Sequence, residues 1–251
     1  MSNAPIVTAA AVIIGNEVLS GRTQDANIQF LATALNDTGI RLMEVRIVAD
    51  DENAIIAAVN QCRQAHDYVF TTGGIGPTHD DITSATIAKA FGLDFGRNAE
   101  AEAILRAHYK PEDVTEARLR MANTPAGAEL IENPVSKAPG FRVENVYVLP
   151  GVPRIMQAMF DGLKHGLAGG EPVQSVSIAA YLPEGLMAAG LSELQEQDPD
   201  VEIGSYPFAR DGKLGCSIVM RHPDAARIEP IAGGVRKLMR GLGGEPLEDD
   251  A

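Results

Sequence analysis

The stretch that decides the fold is Thr71-Thr72-Gly73-Gly74-Ile75-Gly76-Pro77-Thr78-His79-Asp80-Asp81-Ile82-Thr83. It leaves a short apolar run, 67–72, of strand length. It then passes three glycines and enters a helical pattern whose core stripe is Ile82, Ala85, Ala88 and Phe91. Glycine allows a sharp turn and lets backbone N–H groups approach an anion closely. The helix start that follows adds unpaired N–H donors and the positive end of a dipole. Thr78 and Asp81 have capping-box spacing, so the sequence predicts that they cap this helix.

Working outward, the same strand–turn–helix unit recurs. Residues 9–14 form a continuous apolar run, as in a strand buried on both faces. Ile28, Leu31, Ala32 and Leu35 fall at helical spacing, and Gly39 stands where a helix would be capped. A strand is predicted at 42–48, then a helix on Ile55, Ile56, Val59 and Cys62, its start capped by Asp50 or Asp51. Polar helix follows at 98–121, short strands at 141–149 and a last helix through Phe160. Strand–helix repeats without hairpin signals predict parallel strands with right-handed crossovers. The expected fold is therefore α/β, a three-layer α/β/α domain with a mostly parallel sheet over residues 5–165. A Gly-rich linker at 166–172 leads to a small α+β subdomain, 172–243, in β-α-β-β-α order, and residues 244–251 read as a disordered acidic tail.

Composition narrows the function. The 251 residues are 45% hydrophobic and 22% charged, as in a globular protein, and no apolar run is long enough to span a bilayer. A net charge of -13 with no basic run argues against a nucleic-acid partner. Two distant cysteines, Cys62 and Cys216, offer neither a disulfide framework nor a zinc site, which fits a reducing cytoplasm. An acidic protein that binds phosphate needs backbone donors or a metal. In open parallel sheets ligands bind at the carboxyl ends of the strands, and the loops there are rich in Gly, Asp and Pro.

Two carboxylates, Asp80 and Asp81, stand beside the glycine loop. Anions a few ångströms apart repel by roughly 1 kcal/mol in water and more when partly buried. A divalent cation bridging carboxylate and phosphate resolves this, which makes Asp80 or Asp81 a candidate ligand. A second motif, Gly15-Asn16-Glu17-Val18-Leu19-Ser20-Gly21-Arg22, follows the first strand and runs to Asp25-Ala26-Asn27, where Asp25 can cap the next helix. Asp50-Asp51-Glu52 form an acidic first turn that complements a helix dipole. Lys137-Ala138-Pro139-Gly140-Phe141 and Leu149-Pro150-Gly151-Val152-Pro153 shape two further strand-end loops. No Gly-x-Ser-x-Gly elbow, Walker loop or His-Glu-x-x-His helix is present.

Taken together and in this order, these motifs resemble the molybdenum-cofactor-biosynthesis (MoCF) domain family, the MogA/MoaB-like molybdopterin-binding domains. The variant is similar to the N-terminal domain of CinA-type (competence/damage-inducible) proteins, from Val7 to about Phe160. The resemblance implies that Gly73–Asp81 binds a phosphate-bearing pterin or nucleotide. It assigns Asp81, Asp50 and Glu17 to catalysis and to a divalent metal (Mg, Mn or Co). It also assigns ligand contacts to Thr72, Gly73, Gly74, Ile75, Gly76, Pro77, Thr78, Asp80 and Thr83, to Gly15, Asn16 and Asn27, to Lys137, Pro139 and Gly140, and to Pro150 and Gly151. The CinA branch implies metal-dependent pyrophosphatase action on ADP-ribose or a related dinucleotide such as FAD. The alternatives are molybdopterin binding or adenylation, and a non-catalytic nucleotide-binding module. A homo-oligomer is also implied, whereas the deamidase domain found in longer relatives is not expected here. Three positions depart from the family pattern: Asn16 replaces an Asp, Ser136-Lys137 replaces Gly-Thr, and Ile155 replaces a Glu.

Overall fold

A computed structural model describes residues 6–210 and 212–248, and the chain divides into two compact units, Met1–Gly170 and Glu171–Ala251. In the first unit, β1 (Val7–Ile14) is followed by a short helix α1 (Asn16–Leu19), α2 (Asn27–Asp37), β2 (Ile40–Val48), α3 (Glu52–Ala65), β3 (Tyr68–Thr72) and α4 (Thr83–Phe91). Then come β4 (Phe95–Arg97), α5 (Ala99–His108), α6 (Glu116–Leu119), β5 (Asn123–Pro125), β6 (Glu129–Ile131), β7 (Gly140–Val143), β8 (Val146–Leu149) and α7 (Pro153–Leu163). The main sheet has the order β2-β1-β3-β8-β7-β6. Its first four strands are parallel, and β7 and β6 add antiparallel partners.

The three layers follow from the alternation of β1. Ala9, Ala11 and Ile13 pack against Leu31, Leu35, Met156 and Phe160 of α2 and α7. Ala10, Val12 and Ile14 pack against Ile55, Val59 and Cys62 of α3 and Ile87 of α4. Both faces are buried, so the strand reads as an unbroken apolar run. Each large aliphatic side chain buried in this way contributes roughly 1.5–3 kcal/mol. Asp67 ties the opposite end of the sheet together, its carboxylate accepting from the Thr8 amide at 2.8 Å and the Thr8 hydroxyl at 2.9 Å.

Two features escaped the sequence pattern. Strand β6 joins the main sheet, and β4 pairs antiparallel with β5 in a separate ribbon. All three strands have only three residues, too few for a period to register.

The second unit contains β9 (Gln174–Ala180), α8 (Glu184–Gln197), β10 (Glu202–Arg210), β11 (Lys213–His222), α9 (Ala225–Gly241) and β12 (Leu247–Glu248). An antiparallel sheet of order β10-β11-β9-β12 packs one face against Met187 and Leu194 of α8 and Ile228, Ile231 and Val235 of α9. The expected disordered tail is corrected here. Leu247 and Glu248 pair with Ala179 and Ile178, and the Glu248 carboxylate accepts from Arg236 at 2.9 Å, which anchors the segment; 249–251 lie outside the described residues. Among the described residues no helix is long and apolar enough to cross a membrane.

Candidate functional site

The carboxyl edge of the parallel strands gathers four loops. Gly15 donates its amide to Val48 at 3.1 Å, joining the ends of β1 and β2. Gly73 donates to Leu149 at 3.1 Å, joining β3 to β8. Asn27, at the start of α2, donates from Nδ2 to the Gly151 carbonyl at 2.9 Å, which ties in the Pro150-Gly151 turn. The loops after β1, β3 and β8 are thus held as one surface.

Within it, Gly73 and Gly74 turn the chain with φ of 106° and 67°. A side chain on Gly73 would collide with the Ile14 carbonyl, and one on Gly74 with the Thr83 hydroxyl, so neither position accepts a Cβ. Gly151 approaches Gly73 closely, since a Cβ there would come within 3.3 Å of the Gly73 Cα. The Thr83 amide returns to the Gly74 carbonyl at 2.9 Å and closes the loop on its helix. Among the described residues the amides of Gly74, Ile75 and Gly76 donate to no protein acceptor. Successive free N–H groups after a left-handed turn are an arrangement capable of receiving an anion.

Buried polar atoms sit around it. The hydroxyls of Thr72 and Thr83 and the Oδ1 of Asn27 are buried and lack a hydrogen-bond partner. Such atoms are costly unless something satisfies them. Thr72 and Thr83 bracket the glycine loop, and Asn27 adjoins it through Gly151.

The acidic residues behave differently from expectation. Asp81 accepts from the Thr78 amide at 2.7 Å and from the Thr78 hydroxyl. Helix α4, however, begins at Thr83 with Ile82 as its unassisted cap, so the predicted capping box is instead a loop closure. Asp51, whose carboxylate accepts from Ala54 at 2.9 Å, caps α3. That leaves Asp50 to accept from the Asn16 amide at 2.9 Å. The Glu17 carboxylate folds back over Gly15. Among the described residues no three His, Cys, Asp or Glu side chains are gathered to hold a metal ion. Asp81, Asp50 and Glu17 are therefore not gathered into a ready-made cage, and Asp50 and Asp81 each accept from a neighbouring amide. Asp80 is exposed, and the Thr78 hydroxyl, with lesser help from His79, holds its carboxyl below the ordinary carboxylate range.

The Lys137-to-Gly140 segment is placed apart from the glycine loop. Gly140 starts β7 beside the end of β8, so the segment emerges at the same edge of the sheet as the glycine loop. Lys137 and Pro139 nonetheless line a separate cavity of about 590 Å³ with Ile104 and His108 of α5, and no residue of Gly73–Asp81 contributes to it. Lys137 pairs with Glu132 at 3.2 Å, and Gly140 is required by strand packing, since a Cβ there would strike the Val148 carbonyl. The sequence reading missed Asn133, which is buried and organises this turn. Its Oδ1 accepts from Val135 and Ser136, and its Nδ2 donates to Ser136 and Ala138. The Asn-Pro pair at 133–134 was the available signal.

The fold is a three-layer α/β domain with unpartnered backbone amides at the carboxyl edge of its parallel strands. Residues 10–168 match the model of a probable molybdopterin binding domain, MoCF_biosynth, and the chain belongs to that family. Residues 172–242 match the FAD synthase middle domain. A protein of Pyrobaculum arsenaticum is 34% identical over 244 residues, covering 92% of this chain and 91% of the relative. A probable FAD synthase of Caenorhabditis elegans is 31% identical over 260 residues, covering 93% of this chain and 50% of that protein, so the chain spans half the length of that relative. Among solved structures, the protein CinA of Thermoplasma acidophilum, described as of unknown function, is 36% identical with a TM-score of 0.60, covering 63% of this chain and 96% of that one.

Proposed function

We propose that the first unit hydrolyses the diphosphate bond of a dinucleotide such as ADP-ribose or FAD with the aid of a divalent metal. The observation that carries this reading is the run of unpartnered amides at Gly74, Ile75 and Gly76, flanked by the orphaned Thr72 and Thr83 hydroxyls. A diphosphate supplies the acceptors these donors lack. The likeness to a probable FAD synthase adds support for a dinucleotide over a free phosphate.

In the reaction a water oxygen bonds to one phosphorus, the bridging P–O bond breaks, and two monophosphates leave. Magnesium-type cations are commonly held by one or two carboxylates together with substrate phosphates rather than by a protein cage. Asp50 and Asp81 would supply those carboxylates, so metal and dinucleotide bind together. When bound, the cation offsets phosphoryl charge and lowers the pKa of its water. The glycine loop orients the diphosphate, and Asn27 and Gly151 brace the loop.

The test is AMP release from ADP-ribose and FAD with Mg, Mn or Co against a metal-free control. The reading predicts turnover only with metal, and at least a hundredfold lower turnover in Asp81→Ala. Metal-independent turnover, or an Asp81→Ala variant as active as the parent, contradicts it. The family description favours a second reading, the binding of a phosphate-bearing pterin in the same loop. ATP-dependent modification of molybdopterin, with no dinucleotide cleavage, would establish that one instead.

A further inference from the structure

Strand β2 is the outer edge of the main sheet. Among the described residues β1 is its one strand neighbour, so backbone groups along its other side pair with no strand. The register with β1 shifts between Ala9 and Ala10, which leaves Met43 as an extra, bulged residue. Leu42, Val45 and Ile47 oppose Ala9, Ala11 and Ile13 and so share the α2 face of the sheet. Arg41, Glu44, Arg46 and Val48 oppose Thr8, Ala10, Val12 and Ile14 and share the α3 face. That second face is covered, with Arg46 bonded to Gln61 of α3 and Glu44 to His66 just beyond it. Met43, Val45 and Ile47, at alternate positions, are by contrast 60%, 38% and 41% exposed.

Bulges and charged side chains protect a sheet edge from unwanted pairing. That accounts for the bulge, Glu44 and Arg46, but not for three large apolar side chains left in water along the same strand. The order of residues makes β2 its own complement. Turned antiparallel onto a second β2 about Val45, it sets Val45 opposite Val45, Met43 opposite Ile47 and Glu44 opposite Arg46. Centring the pair on Glu44 or on Arg46 instead would set like charges against each other. The ends match as well. Arg41 at the start of β2 has no ion pair among the described residues, and neither have Asp50 and Asp51 just past its end. The same pairing carries Arg41 of one copy toward Asp50 and Asp51 of the other, where opposite charges attract.

We propose that β2 is the interface of a two-fold dimer, in which two copies of this chain pair their β2 strands antiparallel about Val45. The two six-stranded sheets then run on as one. Met43, Val45 and Ile47 of each copy cover those of the other, and Glu44 gains the partner's Arg46 as a second cation. A two-fold contact uses the same patch on both copies and closes on itself, which is what a self-complementary strand requires. The inference stands on the edge of the first unit and does not depend on its diphosphate chemistry.

The test is sedimentation of the full chain, combined with cysteine cross-linking at the two-fold axis. The parent is expected to sediment as a dimer, at twice the chain mass of 26.6 kDa. Val45→Lys sets two cations against each other and is expected to raise the dimer dissociation constant about a hundredfold, with the circular dichroism of the parent retained. Paired residues in antiparallel strands lie about 4.5–5.5 Å apart at Cα, within the reach of a disulfide. Val45→Cys is therefore expected to give a covalent dimer under mild oxidation. The native Cys62 and Cys216 are buried and do not compete. Leu214→Cys, at a position 71% exposed in the second unit, is the control and is expected to stay uncrosslinked. A monomeric or trimeric parent would overturn the inference. So would a dimer that Val45→Lys leaves intact, a Val45→Cys protein that fails to cross-link, or equal cross-linking of Val45→Cys and Leu214→Cys.

Discussion

Two loops reach the same edge of the main sheet, and both are rich in glycine and proline: Gly73–Ile82 after β3 and Asn133–Gly140 before β7. In the first, the left-handed positions are glycines and three amides have no protein acceptor. In the second, the left-handed residue is Lys137, with φ of 61°, and the turn is closed by four hydrogen bonds to the Asn133 side chain and one from the Lys137 amide to the Asn133 carbonyl. One loop leaves its donors without protein acceptors and the other uses them within its own turn. Residue composition does not separate these cases; an account of where each N–H goes does.

The largest effect that sharpens this contrast is expected from Gly73→Ala. Its Cβ would enter the Ile14 carbonyl at a φ hostile to alanine, so denaturant unfolding should show a loss of roughly 2–4 kcal/mol, together with lost ligand binding. Asn133→Ala should cost about 2–3 kcal/mol by the same measurement, because several turn groups lose a buried partner. Turnover on ADP-ribose should nevertheless persist below the unfolding transition, since this turn does not hold the diphosphate. Loss of turnover from a folded Asn133→Ala protein would break the distinction between the two loops.

The smallest effect lies at the far edge of the sheet. The Thr8 amide, and then its hydroxyl, hold the Asp67 carboxyl below the ordinary carboxylate range. A depressed folded pKa means that the stabilisation is present above the unfolded value of about 3.9 and fades as pH falls through the lower, folded value. Asp67 is exposed, so solvent screening limits this to less than about 1 kcal/mol. Asp67→Asn should therefore lower stability slightly at neutral pH and flatten its decline below about pH 4, without touching ligand affinity. Thermal unfolding across pH 2.5–7 (roughly the window set by those carboxylate values) checks the sign.

Much of the fold was legible because β1, α2, α3 and α9 carry long apolar periods, and because the glycine loop joins a buried strand to a helix. The edge strand β6 was not, since Glu129–Ile131 is too short to show a period. The tail misled because its charge suggested solvation, whereas Arg236 neutralises Glu248 and lets Leu247 pair with β9. The left-handed turn at Gly73 and Gly74 was legible from residue type and position, whereas the bond from Asn27 to the Gly151 carbonyl was not. The engagements of Asp50 with Asn16 and of Asp81 with Thr78 were not, because a carboxylate's partner depends on loop geometry that spacing alone does not encode.

The central claim is that the amides of Gly74, Ile75 and Gly76 hold the diphosphate. Its most direct test is a backbone-amide NMR titration of the full chain with ADP-ribose and magnesium. The account predicts that the largest shifts fall on these three amides, with smaller ones at Thr83 and Gly151 and none at Ser136, Lys137 or Ala138. Shifts concentrated at Lys137 and Ile104, with Gly74–Gly76 unmoved, would contradict it.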